Sequence, residues 1–378
     1  MSRVWLRWMP AVVVPAVIAV AVVAVPLQAG AVVDLPDKTA AEVLALVSDS
    51  TVSSFSGTIE QTSNLGLPDL GSALSGMSTG SSDSGTDAAA SAATTALELL
   101  TGSHTARVFA DGPGNLRVQV IDRLDERNLI VNGDEVWFYD SDSNEATHLS
   151  IPAGTEADAR AQLEEAKTKA AAELGEMPTP AELADTLLAD LDSSTEVTVG
   201  TDTAIAGRDA YELRLTPRTD ETLVASASIF VDSETGMPLS VNVRAQGQQD
   251  PAFQVAFTEV SFTAPDAALF TFTPPAGATV TEQALPDHDG TSDHDFGEKP
   301  AGDLPVTVTG EGWAAVAELP AGTVDAEVTA SPLFTQVTTA ITGGYLFSTS
   351  LLNVLVTDDG RVLAGSVPVE SLQAAAAE

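Results

Sequence analysis

The sequence predicts an α+β fold: about eleven short, antiparallel strands with helices between two strand groups, followed by a small C-terminal α+β module. Three observations lead there. From residue 105 onward, short β-favouring runs alternate with turn residues. The connections between them are short, so neighbours should pair antiparallel. Two stretches of helical periodicity, Thr155–Leu174 and the segment opened by Thr179-Pro180-Ala181-Glu182, fall between the strand groups.

Taken in order, Thr39-Ala40-Ala41-Glu42 is a capping box opening a helix whose Val43, Leu44 and Val47 make one apolar stripe. Phe55–Thr62 reads as a strand. Residues 63–104 interrupt the pattern; Gly71–Asp87 is low in complexity and Ala88–Leu100 reads as a helix. The first strand group is Thr105–Ala110, Leu116–Asp122, Asn128–Asn132, Glu135–Asp140 and Ala146–Ile151, with Asn132-Gly133 a strong hairpin signal. The Thr179 capping box, with Pro at the first helical position, opens a helix carrying Leu183, Leu187, Leu188 and Leu191. The second group is Glu196–Gly200, Asp209–Thr216, Leu223–Val231, Pro238–Ala245, Phe253–Phe262 and Phe270–Thr273. The main domain is expected over residues 32–282 and an acidic linker over 283–303. A module over 304–373 should hold five strands and a helical segment near Leu333–Thr342.

Residues 1–31 carry Arg3 and Arg7, an apolar run from Met9 to Val25 and Ala29-Gly30-Ala31, an A-x-A pattern. They read as a secretory signal peptide. A retained anchor is the other reading, although the apolar run is shorter than the about 20 residues that span a bilayer. The protein is therefore expected outside the cytoplasm, in the cell envelope or secreted. The chain has no cysteine, which excludes disulfides, thiolate metal sites and Cys nucleophiles. A net charge of −38 excludes nucleic acid and anionic headgroups as general partners.

Nothing in the sequence assembles a catalytic constellation. The four histidines, His104, His148, His288 and His294, are scattered, and no nucleophile elbow, zinc helix or phosphate loop occurs. Asp140–Glu145 begins like a calcium loop but lacks Gly at the sixth position and Glu at the twelfth, so it reads as a strand corner. His288 and His294 among aspartates lie in a linker, which fixes no geometry for zinc. No enzyme activity, cofactor or metal is expected.

The informative feature is distributed. In Val136-Trp137-Phe138-Tyr139 both faces of a strand are apolar, and Leu223–Val231 and Phe253–Phe262 share the trait. Two readings fit: a sheet covered on both sides, or a curved sheet whose inner face lines an apolar pocket under the leucine-rich helix.

Six stretches in order resemble the LolA-like superfamily of periplasmic lipoprotein carriers and the N-terminal domain of RseB/MucB sigma-factor regulators. They are SGTIEQT (Ser56–Thr62), ADGPGNLRVQV (Ala110–Val120), LIVNGDEVWFYDSDSNEATHL (Leu129–Leu149), AGRDAYELRLTP (Ala206–Pro217), VDSETGMPLSV (Val231–Val241) and VSFTAPDAALFTFTPPAGATV (Val260–Val280). Thr39–Leu70 resembles the long-insertion members of Gram-positive, high-GC bacteria. The resemblance implies an incomplete antiparallel β-barrel with an α-helical lid, and non-enzymatic binding of a lipid or acylated protein by a monomer. The alternative it implies is an RseB-like sensor that binds an anti-sigma factor or other membrane protein. Carried onto this chain, Leu183, Leu187, Leu188 and Leu191 would form the lid, and Trp137, Tyr139, Phe230 and Phe257 would line the cavity. Trp137 and Tyr139 are assigned inward. The carriers' latch Arg before the turn proline is absent, because Gly112 precedes Pro113.

Overall fold

The computed structural model describes residues 33–66, 102–121, 126–150, 179–189, 194–284, 306–322, 329 and 332–377. The N-terminal segment, the bulk of the 63–104 interruption, Thr155–Leu174, Leu191 and the 283–303 linker beyond residue 284 lie outside the described residues. The fold is mostly β-sheet with few helices: a large mixed sheet and a smaller second one.

The main domain contains α1 (Ala40–Ser48), β1 (Ser54–Ser63), β2 (Gly102–Asp111), β3 (Asn115–Ile121), β4 (Glu126–Asn132), β5 (Glu135–Asp140) and β6 (Glu145–Ser150). It continues with α2 (Pro180–Ala189), β7 (Thr195–Val199), β8 (Thr203–Ile205), β9 (Arg208–Pro217), β10 (Val224–Asp232), β11 (Pro238–Ala245), β12 (Phe253–Ser261) and β13 (Thr279–Ala284). Its 13 strands run in the order β13-β6-β5-β4-β3-β2-β1-β12-β11-β10-β9-β7, with β8 also on β9. Two meanders of hairpins meet where β1 pairs with β12. The Thr39 capping box forms as the sequence indicates: the Glu42 carboxylate accepts from the Thr39 amide at 2.8 Å, and the Thr39 hydroxyl accepts from the Glu42 amide at 3.3 Å.

The β1–β12 junction has a bulge between Thr58 and Ile59. Gly57 sits beside it, where a Cβ would lie 2.6 Å from both the Glu259 carbonyl oxygen and the Phe257 ring. Only glycine lets that ring cross the strand. Phe55 meets the ring edge-on with centroids 6.1 Å apart. Gly236, at φ +74, closes the β10–β11 hairpin directly beneath the Leu46 carbonyl, so the same glycine sets the turn and seats α1 on it.

The hairpin is also held by a buried ion pair. Asp232 is fully buried and contacts the Arg208 guanidinium; its Oδ1 also accepts from the Thr235 amide at 2.7 Å and the Thr235 hydroxyl at 2.8 Å. Burial opposes ionisation of Asp232, but the Arg208 and Thr235 hydrogen bonds outweigh it and hold the carboxyl below its usual pKa. Arg208 in turn lies 4.8 Å over the Phe262 ring.

The second sheet contains β14 (Thr307–Thr309), β15 (Val316–Leu319), β16 (Thr338–Ile341), β17 (Gly344–Ser348), β18 (Asn353–Thr357) and β19 (Val362–Gly365), in the order β14-β15-β19-β18-β17-β16. Helix α3 (Pro332–Val337) precedes β16, and α4 (Val369–Ala376) follows β19 and places Leu372 in the module core with Val316, Leu355, Leu363 and Val367. The module is docked on the main domain. Leu351 is 1% exposed within the main core, the Leu223 amide donates to the Ser366 carbonyl at 2.8 Å, the Ser350 amide donates to the Leu65 carbonyl at 2.9 Å, and Trp313 Nε1 donates to Thr195 Oγ1 at 2.9 Å.

Three expectations are corrected. The sheet is not wholly antiparallel, because β13 pairs in parallel with β6. The intended strand at Phe270–Thr273 follows a 3-10 turn, Ala267–Phe270, and forms no ladder; the pairing falls later, at Thr279–Ala284. The helical segment near Leu333–Thr342 divides into α3 and β16, since Thr338 and Thr339 pair with Phe347 and Leu346 and β-branched residues favour that pairing.

The parallel edge strand is pinned by His148 on β6. Its Nδ1 lies 2.8 Å from a Glu282 oxygen of β13, and its Nε2 contacts Glu135 of β5. Burial opposes protonation, but the hydrogen bonds and charges of the two glutamates outweigh it and raise the imidazole pKa. The contribution is therefore complete below about pH 6.5 and is lost as pH rises through the raised value.

Two predictions follow from these ion pairs. Arg208→Met strands Asp232 in the interior and should lower stability by about 2 kcal/mol, a figure reduced for the partial exposure of Arg208; urea unfolding measures it. For His148→Gln, the loss should be under about 1 kcal/mol at pH 5.5, because both glutamates are partly or largely exposed, and should shrink by pH 8.5. Urea midpoints of both proteins across that range test the sign, and a loss that grows with pH overturns the assignment.

Candidate ligand-binding face

Side chains directly opposite one another on paired strands share a face, so the ladders divide the large sheet into two surfaces. One cross-strand row runs Val199, Leu213, Ile229, Val241, Val255, Gln61, His104 from β7 to β2. The next row on the same face carries Tyr211, Val231, Phe257, Ile59, Ala106 and Val120. Beyond Val120 this row meets Arg127 and Asp140, while the neighbouring rows on the same face carry Val118, Leu129 and Phe138, and Leu116, Val131, Val136 and Leu149. This inner face is predominantly apolar, and most of its apolar residues are buried.

The outer face is different. A representative row reads Glu212, Phe230, Ser240, Ala256, Glu60, Thr105. Glu212 there accepts from the Arg214 guanidinium at 2.8 Å and from the Ser228 hydroxyl at 2.7 Å. On β3 and β4, Arg117 donates to Asn128 Oδ1 at 3.0 Å and to the Leu269 carbonyl at 3.1 Å.

Both helices lie on the inner face. Val43 of α1 and Ala184 of α2 are fully buried in the same cluster as Leu213, Ile229, Val241, Val255 and Phe257. Leu183, Leu187 and Leu188 of α2 pack against that cluster while remaining partly exposed. The helix begins at Pro180, as the sequence indicates, and rests on β11 and β12. A second cluster, Ala106, Val120, Leu129, Val131, Val136 and Leu149, continues the apolar face across β2 to β6.

The site residues named from sequence therefore separate into two groups. Phe257, Leu183, Leu187 and Leu188 come together on the inner face, and Leu191 lies outside the described residues. Phe230 stands in the outer row by register and also packs against the main core cluster. Trp137 and Tyr139 face outward, against the inward assignment. Their neighbours Val136 and Phe138 belong to the inner core, while the Trp137 ring stacks on His148 at 4.0 Å and Phe272 meets both aromatic rings, at 5.4 Å from Trp137 and 5.5 Å from Tyr139. The segment between β12 and β13 crosses the outer face, and this is what covers the second apolar face of the strand.

Two inner-face residues escaped sequence reasoning. Gln61 and His104 stand directly opposite each other, 0% and 1% exposed, and they break the apolar row. Neither His104 ring nitrogen has a hydrogen-bond partner. Burial, with the charge of Arg127 second, pushes the His104 pKa down to about 2, so the ring is neutral. The signal was present in parity: both residues share a face with Ile59, Ala106 and Val108.

Among the described residues no group of three or more His, Asp or Glu side chains is arranged to hold a metal ion. Asp140–Glu145 forms the β5–β6 corner, where the Asp140 carboxylate accepts from the Asp142 amide at 2.8 Å and Asn144 takes a φ of 53°. His288 and His294 lie outside the described residues. No described helix is long and apolar enough to cross a membrane.

Comparison with known proteins adds the following. MucB of Pseudomonas aeruginosa, in its complex with MucA, is 16% identical, with 89% of this chain and 96% of that one covered and a TM-score of 0.41. An uncharacterized conserved protein from Thermus thermophilus is 12% identical over 65% of this chain and 99% of its own, with a TM-score of 0.32. A LolA superfamily protein from Nitrosomonas europaea is 11% identical over 62% of this chain and 99% of its own, with a TM-score of 0.22. No curated protein matches the chain. The sequence profile of one family matches residues 86–282, more than half of the chain, and the protein belongs to that family, described as "Predicted periplasmic protein (DUF2092)".

Proposed function

We propose that this is a non-enzymatic, LolA-like binding protein of the cell envelope whose inner sheet face and α2 lid take up an acyl chain, from a lipid or a lipoprotein. The observation that carries the reading is the pairing of a broad apolar face with a leucine-bearing helix whose contact residues stay partly exposed. An apolar surface under a leucine-bearing helix is suited to a flexible hydrocarbon. Transfer of a chain of about sixteen carbons gains on the order of 10 kcal/mol before ordering costs, at ~0.8 kcal/mol per CH₂. The family's periplasmic description and the ordered sequence motifs support an extracytoplasmic location.

A second reading, an RseB-like sensor of a membrane-anchored regulator, is favoured by the docked C-terminal module. That module exposes Tyr345, 42% accessible, against Phe334 at 5.4 Å. Under this reading Tyr345→Arg should abolish capture of a membrane-protein partner in a pull-down, and retention of every partner counts against it.

For the primary reading, native mass spectrometry of gently purified protein should show co-purified lipid, and an apolar fluorescent probe should bind and be displaced by palmitate. Leu187→Asp should weaken probe binding about tenfold or more, because a charge would enter the apolar surface. Gln254→Glu, on the outer face, should leave it unchanged. Absence of both co-purified lipid and probe binding refutes the proposal.

A further inference from the structure

β13 is weakly secured by its own ladder. It is an edge strand of six residues, and among the described strands it pairs only with β6, in parallel. A parallel ladder is the less stable kind. Thr279, Val280, Thr281 and Glu282 are all exposed, so little apolar burial holds the strand down. The segment before it has anchors of its own. Arg117 donates to the Leu269 carbonyl at 3.1 Å, and Phe272 lies against Trp137 and Tyr139. Between those anchors and β13 stands Gly277 at a φ of 87°, inside a turn closed by the Ala278 amide on the Pro275 carbonyl at 3.1 Å. Glycine takes that conformation without a side-chain penalty. β13 can therefore swing about this turn and leave the preceding segment in place.

What fastens β13 is His148. The ring stands directly opposite Glu282 in the ladder. It bridges carboxylates on two different strands: Glu282 of β13 at 2.8 Å through Nδ1, and Glu135 of β5 through Nε2. These two are the charges that act on it, and β5 adds the uncharged Trp137 ring, stacked at 4.0 Å. Arg117 shares the cross-strand row but lies beyond Ile130 and Trp137. A protonated imidazole donates to both carboxylates. A neutral one has a single N–H and a bare nitrogen, so one carboxylate must then face a lone pair. The Glu135 side chain is 42% exposed and that of Glu282 71%. The better-shielded bond, to Glu135, is the stronger one to keep. The remaining proton therefore stays on Nε2, and Glu282 loses its donor.

We propose that His148 is a proton-operated latch on β13: protonation locks the strand onto β6, and deprotonation lets it open locally while the rest of the sheet stays folded. Open, β13 leaves β6 as the edge of the sheet, with unpaired N–H and C=O groups. The two glutamates raise the imidazole pKa, which sets the direction. The latch is closed below about pH 6.5 and released as pH climbs through the raised value. It acts at the sheet edge, apart from the inner face, and stands whether or not that face takes up an acyl chain.

Hydrogen exchange of the full chain measures the opening, read by mass spectrometry over β13 and corrected for the intrinsic pH dependence of exchange. In wild type, protection of β13 should fall about threefold or more between pH 5.5 and pH 8.5, while that of β4 and β11 stays constant. His148→Gln should abolish the pH response, because an amide does not titrate in this range. Glu282→Gln should abolish it too, because its amide can donate to the bare nitrogen of the neutral ring. Ring ¹⁵N shifts give a second readout: above the His148 pKa the proton should remain on Nε2. Constant protection of β13 in wild type, or a wild-type pH response in either variant, overturns the latch. So does an equal loss in β4 and β11, which would mark global unfolding, or a neutral ring protonated on Nδ1.

Discussion

The structure depends on the asymmetry of one large sheet. Strand parity sends nearly every branched aliphatic residue of β7, β9 to β12 and β1 to one side, and serine, glutamine, glutamate and arginine to the other. Such a surface has to be covered on one side only. Helices α1 and α2 do this over β7 to β12, and Leu351 of the C-terminal module enters the same core. The module is thus part of the solution to the main sheet's burial problem, and the polypeptide reaches it after a long acidic stretch.

Much of this was legible locally. The Thr39 capping box, the Pro180 helix start, the Asn132-Gly133 turn and the hairpin order all follow from short-range chemistry, and the structure has each of them. The strand pattern was legible as well, because alternation survives in a single sequence. What was not legible depends on distant contacts. The strand β13 is short, carries an exposed Val280 and pairs in parallel with β6, so no hairpin turn announces it. The apolar outer side of β5 was visible, but its cover comes from Phe272, more than a hundred residues away along the chain.

The candidate site divides along the same line. Phe257 and three of the α2 leucines fall in or against the inner-face core, where large apolar residues are expected. Trp137 and Tyr139 were placed on the wrong side because a strand with two apolar faces does not say which one meets the helices; only the ladder from β5 back to β1 does. Gln61 and His104 were legible only through the parity they share with Ile59, Ala106 and Val108, since a glutamine and a histidine in a strand otherwise look like surface residues.

The β1–β12 junction has a temporal side. Thr258 of β12 donates its hydroxyl to the Thr58 carbonyl of β1 across a separation of two hundred residues. Every hairpin in the sheet can close as soon as it is made, but the seam that joins the two meanders cannot, and Leu351 completes the core later still. Contacts so remote in sequence slow folding, because loop closure has to be paid for before any of them forms. A nascent chain of this design holds only separate, marginally stable meanders until almost all of it has been synthesised. For a protein whose family is assigned to the periplasm, that delay keeps the chain loose through the interval in which it would have to cross a membrane.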